Sequence, residues 1–102
     1  MTEARTSDGT AGLDRLIHEP ARLLIMTHLA AVKDADFVYL LRVTGLTKGN
    51  LSTHLTRLEA AEYVGISKGF DGKTPRTVCR LTPAGRAAMK AYARVMQDLL
   101  AP

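Results

Sequence analysis

Cysteine and aromatic residues are scarce in this chain, and tryptophan is absent. The single cysteine, Cys79, cannot form an internal disulfide, which is typical of proteins from a reducing compartment. No run approaches the roughly 18 apolar residues of a membrane span, and the first residues lack the pattern of a signal peptide. We therefore expect a cytoplasmic protein without a membrane segment.

Residues that carry catalysis or bind metal are also few. The three histidines share no metal-ligand spacing, and Cys79 has no second thiol near it in the sequence. No nucleophile, general base and orienting group occur together. We predict no metal site, no cofactor and no enzymatic activity.

Positive charge is concentrated in the second half of the chain. The 102 residues, 46% of them hydrophobic, suit one globular domain with a thin core. Residues 1–45 carry five Lys/Arg against six Asp/Glu, residues 46–80 carry six against three, and residues 81–102 carry three against one. A basic excess indicates an anionic partner, of which nucleic acid is the commonest.

Apolar spacing predicts two helices in the first third of the chain. Residues 1–10 are polar and aperiodic, which predicts a flexible tail before a domain at 11–102. Leu13, Leu16 and Ile17 predict a short first helix that stops at Pro20. Pro20 suits the first turn of a second helix, which we expect to reach about residue 32.

Capping residues delimit the later elements. Asp36 is expected to cap a third helix at 37–44, which Gly45 ends, and Thr47 to cap a fourth helix reaching about residue 61. Segments 64–70 and 76–81 then predict a hairpin that turns at Asp71-Gly72, and Thr82-Pro83 opens a last helix to about residue 100. The predicted fold is mainly α with a β-hairpin wing, a winged helix-turn-helix of order α-α-α-α-β-β-α.

Residues 37–56 fit a helix-turn-helix because Gly45 supplies the tight turn between two helices. On a helical wheel Leu51, Leu55 and Leu58 form the inner face of the second helix. Its outer face is short, polar and free of acidic groups before Glu59, and such a surface suits base edges and phosphates. The candidate DNA-binding residues of this helix are Lys48, Gly49, Asn50, Ser52, Thr53, Thr56 and Arg57.

The hairpin that follows strengthens this interpretation. A solvated helix face explains the outer residues of the fourth helix about equally well by itself. However, Lys68, Lys73 and Arg76 surround the glycine-rich hairpin, which is where a DNA-binding wing would lie on the flanking backbone. The combination favours a regulator that binds double-stranded DNA.

The runs GLTKGNLSTHLTRLEAAEYV and KGFDGKTPRTVCRLTPAGR resemble the short MarR-like winged-helix regulators and, more distantly, ArsR-type repressors. The resemblance covers about residues 13–95. It implies a recognition helix in the major groove, a wing on the flanking backbone and terminal helices that join two subunits. Glu62 stands where these proteins usually have glycine, and a left-handed conformation there would cost about 1 kcal/mol.

A homodimer is expected to form through the first and last helices. The last helix carries an apolar stripe broader than one small domain needs, and the first helix adds a second strip. A two-fold dimer would bind a roughly palindromic operator with half-sites about 10 bp apart. The candidate dimerisation residues are Leu13, Leu16, Ile17, Ala88, Met89, Tyr92, Val95, Met96 and Leu99.

Two other functions are compatible with the sequence. A winged helix can serve as a protein–protein interaction module, although the basic residues of the helix and the hairpin disfavour it. A ligand-responsive repressor is the second, and the five aromatic residues allow it only a small effector pocket.

Overall fold

The computed structural model describes residues 12–102 and forms a winged helix, which confirms the predicted fold class. The predicted tail at 1–10 lies outside the described residues. The elements are α1 (Pro20–Ala30), β1 (Ala35–Asp36), α2 (Phe37–Thr44), α3 (Lys48–Ala60), β2 (Val64–Asp71), β3 (Thr74–Leu81) and α4 (Pro83–Leu100).

Side-chain caps define the helix starts. Asp36, Thr47 and Thr82 each accept a hydrogen bond from the backbone N–H three residues later, at 2.7, 3.1 and 2.9 Å. All three caps were predicted. Glu19 caps α1 in the same way, and the hydrogen bond from the Arg22 N–H lowers the pKa of its carboxyl group.

The predicted first helix is wrong, because residues 13–19 contain a turn and a bend and no helix. The Asp14 carboxylate accepts hydrogen bonds from the N–H groups of Leu16 (2.9 Å) and Ile17 (3.3 Å), which offers the backbone an alternative to a helix. Glu19 precedes a proline and is extended, with φ −148° and ψ 130°, so a helix cannot continue through it into α1.

The strands form one antiparallel sheet in the order β1-β3-β2. β1 was not predicted; its two residues pair with Cys79 and Val78 of β3. β2 and β3, each eight residues long, form a hairpin in which Asp71 pairs with Thr74. The turn is therefore Gly72-Lys73, one residue later than predicted, and Gly72 has the positive φ (65°) that the first position of a type II′ turn requires.

The core lies between the helices and the inner half of the sheet. Each large apolar side chain buried there contributes about 1.5–3 kcal/mol. Among the described residues no helix is long and apolar enough to cross a membrane. The core residues are Ile17, Ile25, Met26, Leu29, Ala35, Leu40, Leu51, Leu55, Leu58, Val64, Cys79, Leu81 and Tyr92.

Candidate nucleic-acid interface

A three-residue turn sets α3 across α2. Gly45 adopts the left-handed conformation with φ 70°, and its N–H donates to the Leu41 carbonyl at 3.0 Å, which closes α2. Leu46 packs half-buried against the core, and Thr47 caps α3. This is the geometry of a helix-turn-helix.

The two faces of α3 separate as the helical wheel predicts. Leu51, Leu55 and Leu58 are buried and hold the helix on the core. The outward face lies in solvent and carries amide, hydroxyl, lysine and arginine groups. Each of its seven candidate residues is exposed: Lys48, Gly49, Asn50, Ser52, Thr53, Thr56 and Arg57.

His54 belongs to the packed side of α3. Its Nδ1 lies 3.2 Å from Nη1 of Arg22, whose Nε donates to the Leu16 carbonyl at 2.5 Å. Since a guanidinium group only donates, Nδ1 of His54 accepts this bond. Half-buried in this contact, His54 joins α3 to α1.

Glu62 follows the C-cap of α3 and has a backbone conformation that usually requires glycine. Its φ is 65°, its N–H donates to the Glu59 carbonyl at 2.9 Å, and the Tyr63 N–H donates to the Leu58 carbonyl at 3.0 Å. These two bonds form a Schellman motif. Glu62 therefore has the left-handed conformation that glycine usually provides at this position.

The wing, formed by β2 and β3, carries the three predicted cations at its outer half. Lys68 lies in β2, Lys73 in the turn and Arg76 in β3, and all three are exposed. Arg76 also lies near Asp36 at the start of α2, with Nη2 3.7 Å from Oδ2. An exposed ion pair of this kind contributes little stability.

A cleft of about 620 Å³ separates α3 from the wing. Leu55 and Ile66 contribute apolar walls, and Glu59 is the acidic residue of the lining. The remaining polar lining is hydroxyl and ammonium groups, which are donors suited to phosphate oxygens. These side chains are Ser52 and Thr56 from α3, and Lys68 and Thr77 from the wing.

Thr77 and Phe70 were not candidates from the sequence. Thr77 pairs with Lys68 across the hairpin and lines the cleft. Phe70 is 74% exposed near the tip of the wing. The two-residue alternation of strands could have placed both on the face that carries Lys68.

The candidate dimerisation residues divide into two groups. Ile17 and Tyr92 are 0% and 5% exposed within the single chain, and the Tyr92 hydroxyl lies 2.7 Å from Nδ1 of His18. Their side chains therefore fill the core of the single chain. Leu99 is exposed, and the others keep part of their surface in solvent: Leu13, Leu16, Ala88, Met89, Val95 and Met96.

Cys79 lies inside the core where β3 meets both neighbouring strands. Burial raises the pKa of its thiol to about 11. Within residues 12–102 no three side chains of the His, Cys, Asp or Glu type converge as metal ligands would. The thiol has the environment of a small apolar core residue.

Comparisons with known proteins agree with this fold and surface. A family model described as "Winged helix DNA-binding domain" matches residues 21–100. An uncharacterized protein of Methanocaldococcus jannaschii is 31% identical over 78 residues, which cover 76% of this chain and 85% of that protein.

Two solved structures extend the comparison. One, a transcriptional regulator homologue from Pyrococcus horikoshii OT3, has 26% identity, a TM-score of 0.83 and coverage of 96% of this chain and 95% of the other. Another, described as a MarR-family transcriptional regulator from Enterococcus faecalis V583, has 24% identity and a TM-score of 0.74 over 95% of this chain and 86% of the other.

The protein has the fold of a MarR-like regulator, as the resemblance implied. The chain belongs to the winged helix DNA-binding domain family.

Proposed function

We propose that the protein is a transcriptional regulator that binds double-stranded DNA sequence-specifically, with α3 in the major groove and the wing on the flanking backbone. One observation carries the proposal. Ser52 and Thr56 of the polar face of α3 and Lys68 and Thr77 of the wing lie on the two sides of a single cleft. A duplex that received α3 in its major groove would offer one backbone strand to that cleft.

The residues of α3 and of the wing then fall into two groups, those that contact base edges and those that contact phosphates. Asn50 and Arg57 carry side chains that can make bidentate contacts with adenine and guanine edges. Lys68 and Lys73 neutralise phosphates, and Ser52, Thr56 and Thr77 offer hydroxyl groups to them. In this role the protein is a cytoplasmic binding protein and not an enzyme.

Selection of duplexes from a random pool, followed by titration at several salt concentrations, tests the proposal. A dimer that neutralises about 6–10 phosphates should lose roughly 10³–10⁵ in affinity between about 50 and 200 mM salt. Failure to bind duplex DNA at low salt, or an affinity independent of salt, contradicts DNA binding. Binding without enrichment of any sequence contradicts specific recognition.

The proposal includes a two-fold homodimer joined near α4. This helix has 18 residues, and only Gly85 and Tyr92 are buried. At about 1.5 Å per residue it is about 27 Å long, and Leu99 and Leu100 at its end are 49% and 75% exposed. A partner helix against this stripe would remove apolar surface from water.

Sedimentation equilibrium at micromolar concentration tests the dimer. A Leu99→Lys variant should dissociate, because a partner helix would bury the added ammonium group. Lys90→Ala, on the same helix, is the control. A monomeric wild type that binds a single half-site with full affinity contradicts the dimer, and operators selected by a dimer should be palindromes with half-sites about 10 bp apart.

A further inference from the structure

Phe70 is a large apolar side chain near the tip of the wing. It is 74% exposed, lies one residue before the end of β2 and pairs with Pro75 of β3. A single exposed apolar side chain is ordinary on a protein surface. Phe70 differs from such residues in its position on the wing and in the residues beside it.

The strand register places Phe70 on the side of the wing that faces α3. Side chains two residues apart in a strand lie on the same face, so Phe70 shares a face with Ile66 and Lys68. Both of these line the cleft opposite α3, together with Thr77 of the paired strand. Phe70 continues this row outward, beyond the end of the cleft.

Two lysines lie close to Phe70 along the hairpin. Lys68 precedes it by two residues on the same face, and Lys73 lies in the adjoining turn; Arg76 pairs with the neighbouring Gly69 and therefore lies on the opposite face. An apolar ring among cations suits a narrow groove of a polyanion, where the cations meet phosphates at the edges and the ring meets sugars and bases. Proteins that bind the minor groove insert apolar side chains, phenylalanine among them, between base steps.

We infer that Phe70 enters the minor groove beside the major groove that α3 occupies, and that its ring wedges against a base step there. The inference rests on the proposed function and adds a residue that reads the deformability of the duplex. Pyrimidine–purine steps unstack most easily. Duplexes selected by the protein should therefore carry such a step under each wing.

Three variants separate this wedge from a simple phosphate contact. The probe is a duplex selected from a random pool by the wild-type chain, with 2-aminopurine placed in turn at the steps that flank the α3 site. Phe70→Ala should lower the affinity by about tenfold without changing the salt dependence, because no phosphate contact is lost. Lys73→Ala should reduce the slope of log K against log salt by about one.

The fluorescence reports the wedge directly. Wild-type protein should raise the 2-aminopurine signal at the step under the wing, because the step unstacks. Phe70→Leu should keep most of that rise, since leucine is also a wedge residue, and Phe70→Ala should lose it. Because Phe70 and Lys73 are both exposed, circular dichroism should show that all three variants are folded.

The outcomes distinguish this inference from the proposed function. If Phe70→Ala binds as tightly as wild type and keeps the fluorescence rise, the wedge is wrong while DNA binding stands. If Phe70→Ala changes the sedimentation mass, the ring lies in a protein contact and the wedge is also wrong. Absence of duplex binding by the wild-type chain overturns the proposed function, and the wedge with it.

Discussion

Gly85 of α4 lies directly against the carbonyl group of Tyr63. A Cβ atom at position 85 would stand 2.1 Å from that oxygen and 3.0 Å from its carbon. The same oxygen accepts a hydrogen bond from the Thr82 N–H at 3.0 Å. The first turn of α4 therefore rests on the segment that leaves α3, and this contact sets the direction of the last helix.

Gly85→Ala should destabilise the protein by about 1–3 kcal/mol, because backbone must move to admit the methyl group. Urea unfolding measures the change. Gly49→Ala is the matched control, since a Cβ in this other helical glycine meets nothing within 4 Å; it should stabilise by about 0.5 kcal/mol. Equal effects of the two substitutions would contradict the close approach.

Glu62→Gly should stabilise the protein by about 1 kcal/mol, because the left-handed conformation at φ 65° strains every residue with a Cβ. Thermal or urea unfolding measures the gain. Glu62→Ala separates the backbone from the charge: it retains the strain and should give no comparable gain. A similar gain in both variants would assign the effect to the carboxylate.

The hydrogen bond from the Tyr63 hydroxyl to Oδ2 of Asp14 should make stability depend on pH in the alkaline range. This bond, with partial burial, raises the pKa of Tyr63 from its usual 10.0 to about 12. The folded state therefore holds the phenol proton more tightly than the unfolded chain does. The resulting stabilisation is complete below about pH 10 and is lost as the pH rises through about 12.

Tyr63→Phe should cost about 1 kcal/mol at neutral pH. The difference in unfolding free energy between wild type and variant should shrink between about pH 10 and 12. Asp14→Asn should weaken the same pH dependence. A difference that stays constant across this range would show that the hydroxyl–carboxylate bond does not stabilise the fold.

Substitutions in α3 and in the wing should alter DNA binding differently. Asn50→Ala or Arg57→Ala should each cost about 1–3 kcal/mol and relax base preference at one operator position. Lys73→Ala should weaken binding to all sequences about equally, because it contacts the backbone. Repeating the duplex selection with each variant measures both effects, and a changed consensus for Lys73→Ala alone would reverse the assignment.

Local chemistry explains why most elements could be predicted. The caps Asp36 and Thr47, the left-handed Gly45 and the leucine spacing of α3 act within a few residues, so their signals are legible in the sequence. The bounds predicted for the third helix agree with α2 (Phe37–Thr44). For Glu62 the sequence showed only that it stands where glycine is usual; its left-handed conformation is a finding of the structure.

Two elements were predicted wrongly, for different reasons. In the first, local signals of similar strength compete. Leu13, Leu16 and Ile17 have helical spacing, yet the Asp14 side chain and the extended residue before Pro20 favour turns. β1 is only two residues long, which is too short to show a periodic pattern in the sequence. Its pairing depends on β3, more than 40 residues away in sequence.

The sequence by itself determined most of the elements, the basic hairpin and the polar face of α3, because caps and periodicity act locally. Tertiary structure alone decided which side of the wing faces α3, and so placed Lys68, Thr77 and Phe70 on that side. It also placed Ile17 and Tyr92 in the core of the single chain. An apolar stripe in the sequence indicates only that one face of a helix is buried. The packing of segments distant in sequence decides which residues cover that face.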